Sequence, residues 1–144
     1  MTSEGDVPRK CKGKVIVVED AEFIRGAIVH SLAIQGFDVE SAADGQEAFE
    51  RISSSRDSYF ALVADLDMPR MRGDELIEEL DRLLIPFCAY IVISAHSDDH
   101  PDIAQLRSRD SRVPLFFLPK PFDTDTLTAL LESILTNGSK GSTR

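Results

Sequence analysis

The sequence lacks any apolar stretch approaching the roughly 20 residues of a membrane span, and its N-terminus lacks the apolar core of a secretory signal peptide. Cysteine is scarce as well: Cys11 lies in a basic N-terminal stretch and Cys88 in an apolar run. Two such cysteines exclude a disulfide framework and a four-cysteine metal site. We therefore expect a cytoplasmic protein in a reducing environment, with no membrane contact.

Basic residues are also fewer than acidic ones, with 16 Lys and Arg against 25 Asp and Glu, which gives a net charge of -9. An acidic surface argues against direct nucleic-acid binding by this domain, because a broad phosphate backbone requires a basic surface. The 144 residues suffice for one domain with a substantial core, and the 42% hydrophobic content is ordinary for a globular protein.

Apolar runs alternate with amphipathic segments along the chain. The runs predict five strands, at Lys14–Val18, Phe37–Ala43, Tyr59–Ala64, Cys88–Ile93 and Leu115–Leu118. The 3.6-residue spacing predicts five helices, at Ala21–Gln35, Gln46–Ser53, Gly73–Leu84, Pro101–Arg109 and Thr124–Leu135. This alternation predicts a parallel sheet with helices on both faces. Residues 1–13 are expected to be a flexible leader, 14–136 the folded domain and 137–144 a flexible tail.

Two helices have an apolar face that can be read from the spacing. The first is expected to turn inward Ile24, Ala27, Ile28, Ser31 and Leu32. The third is expected to turn inward Leu76, Ile77, Leu80, Leu83 and Leu84.

Polar residues stand directly after the apolar runs. Because parallel strands end at one edge of a sheet, these residues are expected to meet in one cleft. They are Glu19, Asp20, Asp65, Ser94 and Lys120. Three crowded carboxylates repel one another and need a counter-charge, which Mg2+ supplies together with water and a phosphoryl oxygen.

The same residues carry a family resemblance. The chain resembles the receiver domain of two-component response regulators, a chemotaxis-regulator-like phosphoacceptor domain, from about Lys14 to Leu135. The matching motifs are Val-Val-Glu19-Asp20, Asp65-Leu-Asp-Met-Pro-Arg-Met-Arg-Gly73, Ile-Ser94-Ala and Lys120-Pro-Phe. The resemblance implies a doubly wound, flavodoxin-like α/β fold with five parallel strands in the order 2-1-3-4-5.

The resemblance also implies a role for each site residue. Asp65 would accept a phosphoryl group, with Mg2+ bound directly by Asp20 and Asp65, through water by Glu19, and by the backbone carbonyl of Asp67. Lys120 would pair with Asp65 and then with a phosphoryl oxygen.

Two further residues would form the switch. Ser94 would hydrogen-bond the phosphoryl group, and Phe117 would be the aromatic residue that turns inward in response. The Lys120-Pro121 peptide bond would be cis.

Partners follow from the same resemblance. A sensor histidine kinase or phosphotransfer protein would donate the phosphoryl group. The domain would be a signalling domain and not an enzyme, except that it would phosphorylate and dephosphorylate itself at Asp65. An output domain or partner protein is expected but not specified, a homodimer is possible, and a stand-alone receiver and a fragment of a longer regulator remain open.

Two alternatives compete with this interpretation. Asp65-Leu-Asp67 resembles the motif of haloacid-dehalogenase-type phosphatases, with Asp65 as nucleophile and Asp67 as general acid. A complete strand and helix precede the motif, however, and the length leaves no room for a cap domain. A degenerate receiver that binds partners without phosphorylation is opposed by the intact Asp65, Ser94 and Lys120.

Some charged residues fall outside the motifs' core. A group of polar residues after the fourth predicted strand has two possible interpretations, a metal cluster and a polar loop. The group consists of His96, Asp98, Asp99, His100 and Asp102. A zinc site has stricter ligand spacing and usually includes cysteine, so the polar loop is favoured. Arg70 and Arg72 are expected to be solvated, with attraction of an anionic phosphodonor as the alternative. Asp67 is expected to alter the lifetime of the phosphorylated state by adding negative charge at the mouth of the site.

Overall fold

The computed structural model describes residues 12–95, 100–109 and 112–141. One parallel sheet has the strand order β2-β1-β3-β4-β5. Its strands are β1 Lys14–Val18, β2 Asp38–Ala42, β3 Ala61–Asp65, β4 Ala89–Ser94 and β5 Leu115–Pro119. The helices are α1 Glu22–Ile34, α2 Gly45–Ser54, α3 Gly73–Arg82, α4 Pro101–Arg107 and α5 Thr124–Gly141. The predicted fold class and strand order are confirmed.

The sheet is covered on both faces, which is why β3 and β4 are apolar up to their last residues, Asp65 and Ser94, apart from the Tyr90 hydroxyl. Every residue of β3 and β4 is buried. One core cluster joins the sheet to α2, α3 and α4, and the other joins it to α1 and α5. Strand β2 lies at the edge and is only partly buried, as its alternating sequence indicated. Within the described part of the chain, no helix is both long and apolar enough to span a bilayer.

The third helix ends earlier than predicted. It stops at Arg82, and Leu84 takes a left-handed conformation with φ of 57°. The Ile85 amide then bonds back to the Leu80 carbonyl at 3.1 Å, as in a helix C-terminal cap. The prediction that Leu83 and Leu84 face the core was therefore wrong, since they are 42% and 67% exposed.

The first and last helices also depart from expectation. In α1, Ile28 and Leu32 are buried but Ile24 and Ala27 are exposed, because the apolar residues cover more of the helix than the sheet can contact. Ile24 and Ala27 line an open apolar groove beside Lys120 instead. The backbone of α5 continues beyond Leu135 to Gly141. The low helix propensity of Asn, Gly and Ser does not end the helix at Leu135, because propensity is only a weak bias.

Most of the predicted leader lies outside the described residues, but its last two residues contact the domain. The Lys12 amide donates to the Gly36 carbonyl at 3.2 Å, and the Gly13 carbonyl accepts from the Asp38 amide at 2.9 Å. The Lys12 ammonium forms an ion pair with Glu132 on α5. Among the described residues, contacts with the domain therefore extend to Lys12, two residues before β1.

Two glycines in helices differ in how closely other atoms surround them, and only Gly45 packs against the loop after β3. A Cβ at Gly45 would lie 2.1 Å from the Met71 carbonyl oxygen, whereas a Cβ at Gly26 would meet nothing within 4 Å. We expect Gly45→Ala to lower the free energy of unfolding by about 3 kcal/mol through overpacking. Gly26→Ala, the matched control, is expected to raise it by about 0.5 to 1 kcal/mol through helix propensity. Urea unfolding measures both, and equal stabilities for the two variants would contradict this packing.

Candidate functional site

The site is built around Asp65, the last residue of the fully buried strand β3. The strand's end is fixed by the Leu66 amide, which donates to the Ile93 carbonyl at 2.9 Å. The Asp65 side chain is only 4% exposed. Its Oδ1 accepts from the Asp67 amide at 3.1 Å, and its Oδ2 accepts from the Lys120 ammonium at 2.7 Å. Both carboxylate oxygens are therefore held in a fixed orientation.

Two more carboxylates arrive from the end of β1. Glu19 and Asp20 each place an oxygen within 4.8 Å of an Asp65 oxygen and of each other. Glu19 is 2% exposed, and its Oε2 accepts from the Ala21 amide at 3.0 Å. Its other oxygen, Oε1, is buried and has no hydrogen-bond partner among the described residues, although Lys120 Nζ lies 3.8 Å away. Asp20 is exposed.

Burial at this site makes Glu19 a weaker acid than usual. Burial raises the pKa of its carboxyl to about 7, and the neighbouring Asp65 adds to the effect. The Ala21 amide and the Lys120 charge oppose it without cancelling it. In this arrangement the site carries more negative charge than its protein groups stabilise.

Lys120 is positioned by its backbone. It follows β5 directly, and its amide donates to the Ser94 carbonyl at 2.8 Å, which joins the ends of β4 and β5. The Lys120-Pro121 bond is cis, as the resemblance implied. Burial alone would lower the pKa of the Lys120 ammonium, but the hydrogen bond to Asp65 and the surrounding carboxylates outweigh burial and raise it.

Ser94 and Phe117 lie on the side of the site toward α4. Ser94 is fully buried at the end of β4. Phe117 is half-buried and packs against the core cluster shared with α4, whereas Phe116 packs on the opposite face. The Arg107 guanidinium of α4 lies over the Phe117 ring, 5.7 Å from its centroid.

The loop after Asp65 is held on both sides by arginines. The Arg70 side chain is 62% exposed, as expected for a solvated residue, and the Arg72 side chain is 35% exposed. Arg70, with φ of 68°, bonds Asp44 through two nitrogens at 2.9 and 2.8 Å. Arg72 contacts Asp67, Asp74 and Asp102 at 3.3, 3.0 and 2.6 Å. Asp44 and Asp102 lie 26 and 30 residues away from their arginines along the chain, so the local sequence did not indicate these two contacts.

Two loop contacts were not recognised from the sequence as parts of the site. A Cβ at Gly73 would lie 2.5 Å from the Asp65 carbonyl oxygen, so glycine is needed for the close approach of α3 to the end of β3. Asp44 caps α2 by accepting from the Glu47 amide at 2.8 Å while it holds Arg70. The position of Asp44 just before a helix was the available signal for the cap.

The three carboxylates fit a hard divalent cation. All their free donors are oxygens, and the buried, unpartnered Glu19 Oε1 is an acceptor that a hydrated cation would satisfy. No second group of three or more potential ligands occurs within residues 12–95, 100–109 and 112–137.

Only His100 and Asp102 of the other candidate metal cluster lie among the described residues. Its members His96, Asp98 and Asp99 lie outside the described residues. His100 instead caps α4 by accepting from the Asp102 amide at 3.2 Å, and the Asp102 carboxylate binds Arg72.

Comparison with known proteins agrees with this geometry. The family model of the response regulator receiver domain matches residues 15–132. The chain belongs to this family. It is 34% identical over 122 residues to the response regulator MprA of Mycobacterium ulcerans, covering 85% of the chain and 50% of MprA. It is 32% identical over 121 residues to the sensor kinase CckA of Brucella abortus, covering 84% of the chain and 12% of CckA.

Solved structures show the same fold. The receiver domain resembles the chemotaxis protein CheY4 of Vibrio cholerae with a TM-score of 0.71 and 28% identity, covering 84% of the chain and 97% of CheY4. It resembles the receiver domain of the Francisella response regulator 1452 with a TM-score of 0.72 and 26% identity, covering 88% of the chain and 98% of that domain. The chain spans half the length of MprA and about an eighth of CckA.

The protein is therefore a receiver domain of two-component signalling, a class whose general features are aspartate phosphorylation and Mg2+ dependence. It is a signalling domain rather than a conventional enzyme. The phosphatase alternative is not favoured. Asp67, the general acid of that alternative, has its carboxylate against Arg72 rather than among the gathered carboxylates.

Proposed function

We propose that Asp65 is the phosphoacceptor of this receiver domain, which we take to span residues 14–136. The contact that carries the proposal is the 2.7 Å bond from Lys120 to Asp65 Oδ2, at a strand end where three carboxylates converge. A nucleophilic carboxylate, fixed in orientation and beside a cation, is the arrangement that phosphoryl transfer needs.

Mg2+ is the proposed cofactor. Asp20 and Asp65 would bind it directly, Glu19 through water, and Asp67 through its backbone carbonyl. When bound, the ion neutralises charge on the phosphoryl oxygens and offsets the repulsion among the carboxylates. The Asp67 amide and the Lys120 ammonium hold the Asp65 carboxylate in a fixed orientation for the reaction.

The transfer itself is a displacement at phosphorus. An Asp65 oxygen attacks the phosphorus of a phosphohistidine in a sensor histidine kinase or phosphotransfer protein. The phosphorus–nitrogen bond breaks, and the imidazole leaves with the electron pair and takes up a proton. Lys120, already at the carboxylate, moves its hydrogen bond to a phosphoryl oxygen as charge develops there. The signal ends when water attacks the acyl phosphate and releases inorganic phosphate.

The switch is proposed to run through Ser94 and Phe117. The new dianionic group draws the Ser94 hydroxyl toward it, which vacates space on the α4 side of the sheet. Phe117, half-buried and at the edge of that core cluster, then turns inward. Such a local change biases a surface between two states, which an output domain or partner protein in the cytoplasm reads.

Beryllofluoride, an unreactive mimic of the phosphoryl group, tests this function. We expect a bound fluorine signal by 19F NMR when the protein is mixed with beryllofluoride and Mg2+. The signal should vanish with chelator and in Asp65→Ala. Asp57→Ala is the matched control and should retain the signal, because it removes an exposed carboxylate that lies before the start of β3, whereas Asp65 lies at the end of that strand. A folded wild-type protein with no bound signal would refute the proposal.

A further inference from the structure

Helix α4 is joined to α3 by ion pairs as well as by a small apolar face. It is short, and its buried apolar residues are only Ile103 and Leu106. Two arginine–aspartate pairs join the neighbouring helices. Arg72, just before α3, binds Asp102 in the first turn of α4, and Arg109, just after α4, binds Asp81 near the end of α3.

The two pairs differ in how firmly they are fixed. At the Arg109 end the side chains are 14% and 22% exposed, the guanidinium lies 5.3 Å from the centre of the Tyr90 ring, and it also donates to the Val113 carbonyl at 2.7 Å. The Tyr90 hydroxyl donates to the same Asp81 carboxylate at 3.3 Å. The Arg72 pair is more exposed, at 35% and 36%, so the end of α4 nearer the site is the weaker attachment.

The weaker pair leads directly to the phosphorylation site. The Arg72 guanidinium that binds Asp102 at 2.6 Å also contacts the Asp67 carboxylate at 3.3 Å. The Asp67 amide in turn donates to Asp65 Oδ1. A guanidinium fork can hold carboxylates from separate elements at once, and a change at one of them alters its hold on the others.

We propose that Arg72 is a positioning residue that couples the charge state of Asp65 to the first turn of α4. The inference rests on the proposed function, because phosphorylation supplies the change in charge. A dianionic group on Asp65 draws the Arg72 cation toward the site and weakens its bond to Asp102. The first turn of α4 loosens, while the Arg109 end stays attached. This route is separate from the Ser94 and Phe117 switch.

Amide hydrogen exchange measured by NMR tests the coupling. The reporters are the Ile103 and Ala104 amides, which both bond the His100 carbonyl at 3.0 Å. In the wild type, Mg2+ with beryllofluoride is expected to speed their exchange about threefold, the effect of losing one exposed ion pair. Arg72→Gln and Asp102→Asn are each expected to exchange at that faster rate before loading and to show no further increase. The double variant should match either single variant.

Arg70→Gln is the matched control, because Arg70 lies in the same loop but binds Asp44 on the opposite side. It should keep both the slow basal exchange and the full response. A purely structural role for Arg72 would speed basal exchange but leave the response to loading in place, and that result would overturn the inference. So would a wild type that loads, as shown by its bound fluorine signal, without any change at Ile103 and Ala104. A wild type that fails to load would instead refute the proposed function, and this inference with it.

Discussion

Replacing Lys120 by Ala is expected to slow phosphoryl uptake at Asp65 by about 10²- to 10³-fold, the usual cost of losing one group that stabilises transition-state charge. The reason is its position, since its ammonium lies 2.7 Å from the carboxylate that attacks and has no substitute on that side of Asp65 among the described residues. Mg2+ affinity should move the other way and tighten by about tenfold, because three carboxylates lose their protein cation.

The opposite signs separate a chemical role for Lys120 from a structural one. Uptake from acetyl phosphate at saturating Mg2+ can be followed by intact mass, and Mg2+ binding by calorimetry. Lys12→Ala is the control, since it removes a lysine paired with Glu132 rather than with a site carboxylate. If Lys120→Ala lost rate and Mg2+ affinity together, Lys120 would be maintaining the fold of the site. If its rate stayed within about threefold of wild type, the proposed role would be wrong.

Glu19→Gln is expected to stabilise the metal-free protein at alkaline pH. Burial raises the pKa of Glu19 to about 7 from its ordinary value of 4.5. Between these values the folded state holds a proton that the unfolded state has released, so the free energy of unfolding falls as pH rises through that window. In chelator at pH 8 the variant should be more stable than wild type by on the order of 1 to 3 kcal/mol. At pH 4 the difference should be small.

Mg2+ should remove this advantage, because the cation offsets the charge that destabilises wild type and the amide binds the hydrated ion less well. Urea unfolding at several pH values, in chelator and in Mg2+, measures both effects. Glu78→Gln, an exposed change on α3, should leave the pH profile parallel to that of wild type. A Glu19→Gln profile that is also parallel would show that ionisation of Glu19 does not destabilise the folded protein.

The sequence predicted those parts of the site that depend on strand ends. Glu19, Asp65, Ser94 and Lys120 each follow a short apolar run, and the parallel sheet brings such positions together whatever the intervening segments contain. The predicted sheet was sufficient for this, since a strand that is buried on both faces has a readable beginning and end.

Contacts between distant parts of the chain could not be predicted in the same way. Arg70 reaches Asp44, and Arg72 reaches Asp102, across gaps of 26 and 30 residues, and nothing in the local pattern selects these partners from many acidic residues. Leu84 was misassigned for another reason. Its helical spacing is real, but a left-handed turn at that residue removes it from the helix.

The most direct test of the account is to find which residue takes up phosphate. Wild type and Asp65→Asn are incubated with acetyl phosphate, with and without Mg2+, then treated with a hydride reductant that traps aspartyl phosphate, and mapped by peptide mass spectrometry. We predict one modified residue, Asp65, only when Mg2+ is present, and no modification in Asp65→Asn. Modification at another residue, equal modification of the variant, or none in a folded wild type would contradict the account.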